Sequence, residues 1–87
     1  MKEFKKVLVR WVDSARNMDW GLYEDVNETP VECESVGYLI KEKLDYIVLA
    51  LSVVYKPLQV CQTMTIPKCS ISLIQELEIS DTIMENC

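Results

Sequence analysis

The sequence predicts a mostly β protein: a small SH3-like or Sm-like antiparallel barrel of about five strands, assembling as a homo-oligomer. Three observations carry this expectation. Residues 4–13 alternate so that Val7, Val9 and Trp11 share one face while Leu8, Arg10 and Val12 share the other. Residues 33–55 read as two strand-like arms around a short polar turn at 41–45, the second arm apolar on both faces. A one-turn helix is expected just before the last strand, which is the element order of such barrels.

Each element follows from its local chemistry. The first strand ends at Asp13, and residues 14–34 turn polar and acidic, with Gly21, Asn27 and Pro30. A loop of that length in so small a domain tends to be functional or disordered. Trp20, Leu22 and Tyr23 within it favour an ordered flap packed on the barrel or on a neighbour, because disordered linkers rarely hold three large apolar groups so close together. The hairpin follows. Its second arm needs a cover on both faces. Tyr46, Val48, Leu49, Leu51, Val53 and Tyr55 are therefore the expected oligomer interface.

Pro57 fixes its own φ and holds Lys56 extended, which places a turn between the third and fourth strands. The fourth strand is expected at 59–66, with Val60, Gln62, Met64 and Ile66 on one side and Cys61, Thr63 and Thr65 on the other. Pro67 stops it, Lys68, Cys69 and Ser70 form a single 3₁₀ turn, and residues 71–77 resume as a short strand or helical turn. One domain is read over residues 1–77 and an acidic tail over 78–87.

Composition narrows the function classes. An 87-residue chain buries only roughly 60 to 65 % of its unfolded surface, so something must supplement its core. Metal is a poor candidate: the chain has no His, and Cys33, Cys61, Cys69 and Cys87 form no C-x-x-C pair. The N-terminal apolar run is interrupted by Arg10 and does not read as a secretory signal, so reduced cysteines and a cytosolic location are expected. Oligomerisation remains. A net charge of −5 argues against nucleic acid, and no stretch is long and apolar enough to span a membrane as a helix. Catalysis has little support, since Ser14 has no His to act as its base. No cofactor is expected.

The candidate binding residues are Trp11, Asp13, Ser14, Arg16, Trp20 and Lys68. An indole can stack on a base while a carboxylate and a hydroxyl bind its edge or a ribose. A guanidinium forks onto phosphate, and an ammonium at a turn can pair with one. Arg10 has the same guanidinium chemistry. Against this stands the bland alternative: Trp11 as core, Asp13 and Ser14 as a turn cap, and Lys68 as a solvated charge.

The segments Val9-Arg10-Trp11-Val12-Asp13-Ser14, Trp20, Cys33-Glu34-Ser35-Val36-Gly37-Tyr38-Leu39-Ile40, Asp45-Tyr46-Ile47-Val48-Leu49-Ala50, and Ile66-Pro67-Lys68 with Ile71 resemble a family of short phage and prophage proteins. Tyr38 stands where that pattern more often has Trp. The resemblance implies a phage origin and the cytoplasm of an infected bacterium. By analogy of lifestyle it implies an accessory anti-defence role: a sponge that binds a nucleotide-derived signal, such as a cyclic dinucleotide or a cyclic ADP-ribose isomer, without cleaving it. The competing expectations are a protein-binding inhibitor or adaptor and a minor virion assembly protein.

Overall fold

A computed structural model of the chain describes residues 3–14, 19–26, 28–78, 80, 82 and 84. Five strands, β1 (Lys5–Asp13), β2 (Val31–Glu42), β3 (Tyr46–Tyr55), β4 (Leu58–Pro67) and β5 (Ile71–Glu76), form one antiparallel sheet in the order β4-β3-β2-β1-β5. Two one-turn 3₁₀ helices interrupt them, η1 (Tyr23–Asp25) in the long loop and η2 (Lys68–Ser70) between β4 and β5. The sequence reading therefore located the first four strands and η2, and of its two alternatives for residues 71–77 the strand is the one formed.

The barrel is not closed. β4 and β5 are the two edges of the sheet, and each has one strand neighbour. The described chain measures 55 × 37 × 25 Å with a radius of gyration of 17.3 Å, against about 12 Å for a compact domain of this length.

The core sits where β1, β2, β3 and β4 overlap. Val7, Val9, Ile47, Leu49 and Ile66 form it, with Trp11, Leu39 and Ile71 half-buried against it. The register explains the set. Leu39 opposes Leu49, and Ile47 opposes Ile66, so each pair projects its side chains to the same face. Alternation on β1 adds Val7 and Val9 to that face. Leu49, grouped in the sequence reading with the expected interface, is thus a core residue at 4 % exposure.

β2 and β3 pair only near their shared turn, from Tyr38↔Ala50 to Glu42↔Ile47, with a bulge at Ile40. Beyond Tyr38 and Ala50 the sheet forks. β2 continues with β1 as far as Asp13↔Val31, and β3 continues with β4 as far as Tyr55↔Leu58. Gly37 stands at the fork, where a Cβ would lie 2.9 Å from the Ala50 carbonyl oxygen; only glycine admits this close an approach. Across the other ribbon, Gln62 takes a φ of 52°, and the regular pairs resume at Ser52↔Cys61. The ribbon ends at a turn containing a cis Lys56–Pro57 peptide, and the Tyr55 ring stacks on Phe4 with centroids 6.4 Å apart.

Candidate functional site

The groove that holds most of the chemistry lies at the far end of β1. It encloses about 500 Å³ and is lined by Arg10, Trp11, Val12, Glu32, Cys33, Glu34 and Ser72. Antiparallel register builds it: Arg10 opposes Glu34, Trp11 opposes Cys33 and Val12 opposes Glu32. On the other side of β1, the ladder with β5 slips between Arg10 and Trp11, and Ser72 sits at the slip. Its hydroxyl donates to the Arg10 carbonyl at 3.3 Å.

Trp11 is half-buried against the core, on the face it shares with Val7 and Val9, and the residue also borders the groove. Its Nε1–H donates to Ser35 Oγ at 3.0 Å, which fixes the ring plane. Arg10 Nε donates to Glu34 Oε2 at 3.0 Å across the strand pair. Both side chains of that ion pair are more than half exposed, so the guanidinium retains donors for a ligand. One guanidinium faces two carboxylates, those of Glu32 and Glu34. The groove of a single chain is therefore acidic on balance.

Of the other expected site residues, Asp13, Ser14, Trp20 and Lys68 do not line this groove. Asp13 Oδ1 accepts the Ser14 backbone N–H at 2.8 Å, the local turn bond of the bland alternative. Arg16 lies outside the described residues. Trp20 is fully exposed, and Tyr23 is 91 % exposed, so neither ring packs onto the sheet of its own chain. Lys68 serves as a clamp. Its backbone N–H donates to the Asp45 carbonyl at 2.9 Å, and its Nζ reaches Glu42 Oε2 at 3.3 Å, tying η2 to the β2–β3 turn.

Glu32, Cys33, Glu34 and Ser72 are groove residues that sequence reasoning did not single out. The first three were legible in principle, since alternation from Val31 and the antiparallel pairing with β1 set them opposite Arg10, Trp11 and Val12. Ser72 was not, because only the slip in the β1–β5 ladder brings it there.

A second, more apolar hollow of about 310 Å³ occupies the fork, lined by Ser35, Val36, Leu49, Ala50, Leu51, Gln62 and Met64. Among the described residues no cluster of three His, Cys, Asp or Glu side chains is placed to hold a metal ion. Among the described residues no helix is long and apolar enough to cross a membrane. In comparisons with known proteins the chain matches no family model, no curated protein and no solved structure.

Proposed function

We propose that this chain is a binding protein that captures a nucleotide-derived signal without cleaving it, in grooves completed when copies of the chain assemble, and so serves a phage as an anti-defence sponge. The Trp11 and Arg10 groove carries the reading. Its volume of about 500 Å³ lies in the range of small-ligand sites, and it gathers a guanidinium and two carboxylates on the outward face of the β1–β2 ladder, with Trp11 at its border. Carboxylates accept from base amino groups and ribose hydroxyls, while the guanidinium takes a phosphate. The acidic balance within one chain means that further cations for phosphate must come from an adjoining copy. Sequestration needs affinity near nanomolar, about −12 kcal/mol, and no turnover.

The test is a native mass spectrum of the purified protein after incubation with cyclic dinucleotides and cyclic ADP-ribose isomers. A bound ligand released unchanged on denaturation supports the sponge, and Arg10→Ala should abolish its retention. An assembly that takes up none of these ligands defeats the reading.

A protein-binding role is the second reading, favoured by one observation. Trp20 and Tyr23 stand exposed in a loop that also carries Asp19, Glu24, Asp25 and Glu28, a combination suited to a basic protein surface. Trp20→Ala would then abolish partner capture while leaving nucleotide uptake unchanged.

A further inference from the structure

The two edges of the sheet differ in how they are guarded. Exposed edge strands invite pairing with another chain, and proteins usually protect them with charge, proline, shortness or a bulge. β5 is six residues long and ends on Glu76, which lies 3.9 Å from Lys5. β4 is ten residues long, LQVCQTMTIP, with no charged residue and its single proline at the last position. Nine of its ten residues are exposed, Leu58 at 60 %, Val60 at 40 % and Met64 at 43 % among them. Its one irregularity is the left-handed Gln62, where the regular pairing with β3 skips from Ala50↔Thr63 to Ser52↔Cys61. Among the described residues β4 pairs with β3 alone, so its outward amides and carbonyls have no strand partner there.

We infer that β4 is the edge at which a second copy of this chain continues the sheet, β4 against β4 and antiparallel. Charge selects the occupant. The chain carries −5 overall, so copies meeting through most other surfaces bring acid against acid. β4 is neutral along its whole length, and a two-fold pairing sets no like charges opposite one another. Length agrees, because a ten-residue strand finds its full complement in another of ten, whereas β5 offers six. A lone two-stranded ribbon is marginal in water, and pairing converts the two ribbons into a four-stranded sheet.

The inference shares with the sponge reading only the need for more than one copy, and its test uses no ligand, so either can fail alone. Sedimentation of the full chain should give a dimer, or an even multiple, of the 10.1 kDa chain. Cys61→Lys with Thr63→Lys, both at exposed positions of β4, should return it to monomer with its β-sheet circular dichroism intact. A wild-type monomer persisting to about 100 µM overturns the inference. So does an odd-numbered assembly, or a double variant with wild-type mass. Should the variant lose its fold, hydrogen exchange of the wild type decides: β4 amides are slowed at high protein concentration and freed on dilution if the edge is paired, and equal exchange at both concentrations overturns it.

Discussion

β3 is one continuous apolar strand whose two halves meet different fates. Ile47 and Leu49, in its first half, are 0 % and 4 % exposed; Leu51 and Val54, in its second, are 59 % and 53 % exposed. Hydropathy does not distinguish them. The first half has β2 on one side, β4 on the other, and the Val7 and Val9 face of β1 in the same core. The second half has lost β2, because the sheet forks at Gly37 and Ala50. Burial along this strand is decided by what lies across from it, and an apolar segment without a neighbour is an interaction surface in waiting.

The largest expected effect breaks the buried half. Ile47→Ala should lower unfolding stability by about 2–5 kcal/mol through lost contacts and a residual cavity. Val54→Ala in dilute solution should cost under about 0.5 kcal/mol. Urea denaturation of both variants checks this, and equal losses would erase the contrast between the halves. At the fork itself, Gly37→Ala should cost about 1–3 kcal/mol, since the added methyl meets backbone that must move. An unchanged midpoint for that variant would mean that β2 and β3 are free to spread there.

Within the ribbon, Gln62→Val should lose about 1–2 kcal/mol, because a β-branched side chain is poorly accommodated at φ 52°, whereas Gln62→Gly should be neutral or mildly stabilising. Thermal melts of the pair sharpen the comparison by showing whether the ribbon's kink is held in solution. The smallest effect is Glu34→Gln. Its ion pair with Arg10 is more than half exposed at both ends, so the loss should stay under about 1 kcal/mol and shrink as salt is raised. A larger, salt-independent loss would place that pair in a drier setting, such as an interface.

Much of the fold was legible because its signals are local. Alternation marked β1, and Val7 and Val9 were read as core. The polar turn at 41–45, the stop at Pro67 and the η2 turn depend on residues within a few positions of one another. The site was legible only in part. Trp11 was found through its chemistry and its place at the end of a strand, yet Lys68 has a structural partner in Glu42 that lies 26 positions away. Trp20 was expected to pack on the barrel or on a neighbour; on the sheet of its own chain it does not pack, being fully exposed.

The sequence by itself determined the first four strands, their order along the chain and which face of β1 turns inward. Each of these rests on period-two alternation and on turn residues, which act over a few bonds. Only the tertiary structure decided that the sheet forks above Gly37, that Ser72 joins Arg10 and Trp11 in one groove, and that the uncharged β4 is an edge of the sheet. Those features depend on register and on close approach between strands distant in sequence, where one slipped residue or one missing Cβ changes what lies opposite, and alternation along a single strand carries no record of its neighbour.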